Sequence, residues 1–328
     1  MKRRKFIVLV GSAAATPFVG SLTAHAQQPV LPVIGVLSGT NREARLIDAI
    51  RQGLNDTGYV EGRNVAFEYR WAEGNFDRLP ELAADLVRRQ VGVILAMQSA
   101  NAPRAAKAAT TTIPVVFCIG GDPVRLGLVA SLSRPGGNVT GTTFLVNTLA
   151  GKRMELLREL VPGGATIGVL MNPKNPAAES EMKDVHAAAP ALGQKIYAQP
   201  ASSESDIDAA FANFAQQRVN AVTFAADAVF NSRRKQIIAL AARHKLPTMY
   251  FYRAFADDGG LISYGGHDTD SYRMVGVYTG RILKGEKPAD LPVQQSTRVE
   301  LVVNMKTAKA SGFRIPPAVL ARADDVIA

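Results

Sequence analysis

The chain is almost without cysteine. Cys118 stands alone, so no disulfide can form within the molecule. It sits in the apolar run 113–118 and reads as a small packed side chain rather than a reactive thiol. Histidine is nearly as scarce. His25, His186, His244 and His267 are scattered, none at a metal-ligand spacing, and no metal site is expected. The signatures of nucleotide and nucleophile chemistry are missing too. Gly35 and Gly39 do not complete a Gly-x-Gly-x-x-Gly turn, and Ser38 has the wrong spacing for a nucleophile elbow. Glu286 stands where a phosphate loop needs its lysine. These gaps argue against an enzyme; no catalytic residue and no cofactor is expected. After residue 26 no run is long and apolar enough for a membrane helix. The net charge is +10, but Lys2, Arg3, Arg4 and Lys5 precede the first acid, and the remaining basic residues are mixed with acids. That is a solvated surface, not a nucleic-acid patch.

What is present begins with a leader. Residues 1–26 open on bases, continue with the apolar stretch 6–19, and end in Ala24-His25-Ala26, the small-x-small pattern that signal peptidase accepts. Arg3-Arg4-Lys5-Phe6-Ile7 looks like a twin-arginine export signal. No cysteine lies near the cleavage point, so no lipid anchor is expected and the mature chain should be soluble and periplasmic.

Residues 33–71 form the organising unit. Val33 to Leu37 is a short buried strand; Leu46, Ile47, Ile50 and Leu54 share one helical face; Val65, Phe67, Tyr69 and Trp71 alternate with polar residues. Strand, helix and strand make a parallel βαβ unit, whose ligand edge follows the first strand at Ser38, Gly39 and Thr40. The alternation continues with helices over 76–89, 103–110 and 126–133 and strands over 91–97, 113–118 and 138–144. This is a doubly wound parallel sheet, with 65–71 as the edge of a 2-1-3-4-5 strand order.

Then the pattern restarts. Ile34-Gly35-Val36-Leu37 recurs as Ile167-Gly168-Val169-Leu170. Second strands begin at 65 and 195 and third strands at 91 and 220, so the spacing recurs as well. Helices are expected from Pro176 with Asn175 as cap, over 204–216 capped by Ser203, and over 229–244. Strands are expected over 220–225, 247–250 and 260–264, then a helix over 268–284, a strand over 298–304 and a helix over 305–310. The fold class is α/β: two similar doubly wound parallel-sheet lobes joined by a multi-strand hinge. Lobe I takes 30–144 with roughly 265–292, and lobe II takes 145–264 with roughly 293–328.

The candidate site lies at strand ends, where switch-point clefts form. A helix after Thr40 would favour a carboxylate through its free N–H groups and dipole, though Gly39 and Thr40 also suit a turn and a cap. Gln98 and Ser99 follow the third strand, Gly121 and Asp122 the fourth. Asn172 and Asp227 follow strands of the second series. The last two also read as loop polarity or capping, and Asp122 before Pro123 as an ordinary turn. Tyr250, Tyr252 and Tyr264 could wall a small organic ligand, or singly be core or surface.

These segments together resemble one family. Residues 34–38, Gly58-Tyr59-Val60-Glu61-Gly62, Tyr69-Arg70-Trp71-Ala72-Glu73-Gly74, Gly121-Asp122-Pro123-Val124, residues 134–141, Asn172-Pro173, residues 260–265 and residues 303–309 carry the likeness. The chain resembles the ABC-transporter substrate-binding proteins of the tryptophan-binding type, in the type I periplasmic binding protein fold. Met171 and Ala226 depart from that pattern, which often has an aromatic residue and a proline there. The resemblance implies two lobes closing on an amino acid, aromatic or branched, or a related acid. It implies delivery to an inner-membrane permease, and places binding roles on the loops of Ser38 to Thr40, Gln98-Ser99, Asn172 and Asp227. A monomer is expected. The rival reading is an exported sensor that presents its ligand to a receptor.

Overall fold

The computed structural model describes residues 31–328 apart from Leu145 and Pro162, so the expected leader lies outside the described residues. The first series runs β1 (Val33–Ser38), α1 (Ala44–Asn55), β2 (Ala66–Trp71), α2 (Leu79–Arg88), β3 (Val93–Met97), α3 (Asn101–Ala109), β4 (Val115–Ile119) and β5 (Val139–Thr143). The second runs α4 (Ala150–Arg158), β6 (Thr166–Met171), α5 (Ala178–Ala191), β7 (Lys195–Pro200), α6 (Glu204–Gln216), β8 (Ala221–Phe224), α7 (Ala228–Ser232), α8 (Arg234–Arg243), β9 (Thr248–Tyr250), α9 (Arg253–Asp257) and β10 (Ile262–Gly266). A tail adds α10 (Asp268–Leu283), β11 (Gln294–Gln295), β12 (Val299–Asn304), α11 (Met305–Ser311), α12 (Pro317–Leu320) and β13 (Asp325–Ile327).

Two sheets result. The first has the order β11-β5-β4-β3-β1-β2, parallel throughout, with β2 at its edge as expected. The second has the order β13-β12-β10-β9-β8-β6-β7, in which only β10 and β12 pair antiparallel. The 2-1-3-4-5 order therefore occurs twice. Central strands β3 and β4 are buried at every residue, the consequence of helices on both faces. Leu46, Ile47, Ile50 and Leu54 are buried on the inner face of α1, and α10 lies along that helix, so the tail does return to the first lobe. No helix among the described residues is long and apolar enough to cross a membrane.

The chain crosses between the sheets three times: after β5, between β10 and α10, and between β11 and β12. The straps are bonded to one another. Ser296 N donates to Thr143 O at 2.8 Å, and His267 N to Arg298 O at 2.9 Å. This is the expected multi-strand hinge. Because β11 pairs with β5, the third crossing follows Gln295 instead of starting at residue 293.

Several local expectations are corrected. Residues 126–133 form turns, not a helix. Gly127 takes φ +68°, and Lys107 Nζ draws the Gly127 and Leu128 carbonyls outward at 2.7 and 3.1 Å. The helix expected over 229–244 is two helices, because Arg233 at φ −99°, ψ 17° breaks it. The helix after Pro176 begins only at Ala178; Asn175 Oδ1 accepts from Ala177 N at 3.0 Å, closing the turn before it. Ser203 caps α6 as expected, accepting from Asp206 N.

Candidate functional site

The loops after β3, β4, β5 and β8 meet in a cleft between the two sheets, with a space of about 600 Å³ including its mouth. From lobe I it is lined by Thr40, Gln98, Ser99, Gly121, Asp268 and Tyr272, among others; from lobe II by Asn147, Asn175, Asp227, Asn231 and Tyr252.

Gln98 follows the last residue of β3 and takes φ +60°. A non-glycine residue rarely adopts that conformation, and where it does the strain often marks a functional position. Ser38 Oγ donates to Gln98 Oε1 at 2.6 Å, while Gln98 Nε2 is buried and has no partner among the described residues. Ser38 thus sits behind Gln98 and orients it, rather than lining the cleft. Gly39 lies behind as well, its N–H bonded to Met97 O at 3.1 Å. Ser99 Oγ accepts from Ala102 N at 3.1 Å, closing the turn at the start of α3.

That geometry corrects the helix expected to favour an anion. The residue before α1 is Glu43, whose Oε1 already accepts from Asn231 Nδ2 and Arg234 Nη1, both at 3.1 Å. A carboxylate of the chain's own stands there and opposes a second. The N-terminus that reaches the cleft is that of α3, through Gln98, Ser99 and Ala100.

Across the cleft, Asp227 is both cap and lining. Its Oδ1 accepts from Val229 N at 2.8 Å, starting α7, and from Asn172 Nδ2 at 3.1 Å. Asn172 Oδ1 is in turn occupied by Lys174 N and Ser202 Oγ, each at 3.0 Å. Asn172 therefore stands behind Asp227 and outside the lining. Burial pushes the Asp227 carboxyl above its ordinary range, against the opposing hydrogen bonds from Asn172 and the helix N–H groups. Among the described residues no lysine, arginine or histidine lines the cleft. The other lining acid, Asp268, is clamped by Arg45 through two hydrogen bonds of 2.7 and 2.9 Å.

The aromatic walls differ from those expected. Tyr252 lines the cleft against Phe144, ring centroids 5.8 Å apart, with Tyr272 from α10 nearby. Tyr250 does not: it is stacked in the lobe II core, 4.5 Å from Phe255 and 5.5 Å from Phe224. Tyr264 packs half-buried on the other face of that lobe with the cluster of Leu301 and Val303. Asp122 serves as the turn residue, its Oδ1 accepting from Val124 N and Arg125 N, and faces an outer groove instead. Asn147, Asn175, Asn231, Asp268 and Tyr272 were not among the expected residues. Of these, Asp268 was signalled, since it opens the helix that returns to lobe I.

Bonds across the mouth hold the lobes together. Glu43 reaches Asn231 and Arg234, Arg125 Nη1 donates to Ser180 Oγ at 2.8 Å, and Asn101 Nδ2 to Lys174 O at 3.3 Å. The arrangement is a closed one. Removing the Glu43 latch with Glu43→Ala should cost about 1 kcal/mol of closure, hence roughly fivefold in ligand affinity. Calorimetry checks the affinity, and an unchanged affinity would remove the latch from the account.

A model of the family described as ABC transporter substrate binding protein matches residues 31–327. A curated tyrosine-binding protein of Clostridioides difficile is 26% identical over 263 residues, covering 79% of this chain and 74% of the relative. Among solved structures, a conserved domain protein of Vibrio cholerae is 31% identical with a TM-score of 0.82, covering 90% of this chain and 99% of that one. An ABC domain of Streptococcus pneumoniae in complex with L-Trp is 27% identical with a TM-score of 0.80, covering 90% and 100%.

Proposed function

Since the chain belongs to the ABC transporter substrate-binding protein family, we propose that it captures an amino acid with an aromatic or branched side chain between its lobes. It hands the ligand unaltered to an inner-membrane permease. The leader of residues 1–26 sends it to the periplasm, where it works as a monomer. The observation that carries the ligand class is the buried Asp227 carboxylate in a cleft that no cationic side chain lines among the described residues. Such a group favours a ligand ammonium. The ligand's own carboxylate meets Gln98 Nε2, which has no partner among the described residues, beside Ser99 and Ala100 at the start of α3, neutral groups rather than a counter-charge. Phe144, Tyr252 and Tyr272 cover the side chain. The tyrosine-binding relative and the L-Trp complex support an aromatic ligand. A simple organic acid is disfavoured, because it brings a negative charge to Asp227 and nothing to offset it.

The test is a thermal-shift panel. L-tyrosine, L-tryptophan and the branched amino acids are compared with tyramine, tryptamine and the deaminated acids. Saturation at a thousandfold excess over Kd stabilises by about 4 kcal/mol, a rise of several degrees in Tm. Amino acids should raise Tm most, and deaminated acids should not raise it at all. No shift with any amino acid, or an equal shift with the deaminated acids, would overturn the reading.

A further inference from the structure

Arg153 of α4 and Glu181 of α5 form an ion pair at 1% and 0% side-chain exposure. Neither was expected from the sequence, and neither lies in the cleft's first layer on the ligand side. A pair this dry is an expensive way to hold two helices together. Apolar side chains of the same volume often serve stability equally well or better. Its reason must lie in what else it holds.

The carboxylate is saturated. Glu181 Oε1 takes Arg153 Nη2; Glu181 Oε2 takes Asn147 Nδ2 at 2.6 Å and Ala226 N at 2.9 Å. Arg153 Nη1 donates to Val146 O at 2.9 Å. Val146 and Asn147 belong to the first hinge strap, and Ala226 immediately precedes Asp227. Asn147 is also bonded through its N–H to Gly120 O of lobe I at 3.3 Å, and both residues line the cleft. One carboxylate thus fixes a strap residue and a ligand-loop residue by separate bonds, while its arginine fixes the strap's carbonyl.

We propose that the buried Glu181–Arg153 pair is a positioning unit for the ligand site, clamping the first hinge strap to the loop that presents Asp227. Strap and loop then move as one body when the lobes close, and Asn147 arrives in the cleft already oriented. Neither residue touches ligand. The effect on ligand affinity rests on the amino-acid reading above; the clamp itself does not.

The test uses two variants of the full protein, the apolar replacement Arg153→Met/Glu181→Leu and the single Glu181→Gln. L-tyrosine and L-tryptophan are the probes. The double variant should fold, yet bind the better amino acid at least tenfold more weakly. Amide exchange at Asn147 and Val229, whose N–H groups bond Gly120 O and Asp227 Oδ1 and not Glu181, should be at least tenfold faster without ligand, with β6 and β8 unchanged. A pair that merely supports the core would leave those amides and the affinity as they were in the folded double variant, and that result overturns the proposal. If the double variant does not fold, the same exchange comparison on Glu181→Gln decides. If the parent binds neither amino acid, the functional reading fails, while the exchange comparison still decides the clamp.

Discussion

Replacing Asp227 with asparagine is expected to abolish amino-acid capture while leaving the fold intact. Truncating one partner of a buried, hydrogen-bonded charge pair costs about 2–5 kcal/mol, roughly thirty- to several-thousandfold in Kd. The fold survives because asparagine is as good a helix cap as aspartate, so Val229 N keeps its partner at the start of α7. The pH dependence has a definite sign. Burial raises the Asp227 carboxyl above its unfolded value, so the ligand-free folded state holds that proton more tightly than the unfolded chain. Stability from this group is fully present below the unfolded pKa and is lost as pH rises through the raised one. Ligand affinity climbs over the same window, since an ammonium pairs only with the ionised form. Asp227→Asn removes this share of both slopes. Glu181, pushed up to about 7 by burial against the pull of Arg153, contributes a stability slope of the same sign, which the variant reduces only by the lesser part due to the Asp227 charge. Calorimetry between pH 4 and 8 checks the affinities, and thermal melts check the stabilities. An asparagine variant that binds within threefold of the parent would remove Asp227 from the site.

The second large effect falls on the fold. Where α1 and α10 cross, the backbones nearly touch. A Cβ on Gly276 would lie 2.1 Å from Ile50 O, and one on Gly53 would lie 1.9 Å from Arg273 O. Both clashes are with backbone, which has no rotamer to yield. Gly276→Ala should therefore force the helices apart and strip packing from Ile50, Leu54 and Val275, for a loss of about 3 kcal/mol. In a chain of this size that is a fall of roughly 5 °C in Tm. The control is Gly163→Ala, where a Cβ meets nothing within 4 Å and φ is not positive. It should melt with the parent. Equal melting of Gly276→Ala and the control would show that α10 does not seat on α1 as described.

That crossing also shows what a sequence can disclose. The return of α10 to lobe I was legible because one helix and one strand remained after two complete βα series. Strand and helix types were legible because Val91 to Met97 is uniformly apolar and Leu46, Ile47, Ile50 and Leu54 repeat at helical spacing. α4 was not, because its inward face carries Arg153 among Met154, Leu156 and Leu157, so the apolar stripe is interrupted by a charge. The site was legible in part for the same physical reason. Loops after β3 and β8 must lie at the switch-point edge, which gave Gln98, Ser99 and Asp227. Which side chain faces the cleft depends on turns that periodicity does not encode. Tyr250 is the last residue of β9 and points into the core, whereas Tyr252 lies past the strand end and swings to the cleft. Asn231 reaches the cleft from the short α7 that Asp227 caps, and Tyr272 because α10 is laid beside β4 by packing between distant segments.

The central claim is that the lobes close on a guest and release it unchanged. Small-angle scattering of the purified protein tests it most directly, with and without the amino acid that gives the largest thermal shift. The account predicts that the radius of gyration falls on saturation, and that the same amino acid is recovered intact after unfolding. An unchanged radius at saturation, or recovery of a chemically altered molecule, would contradict it.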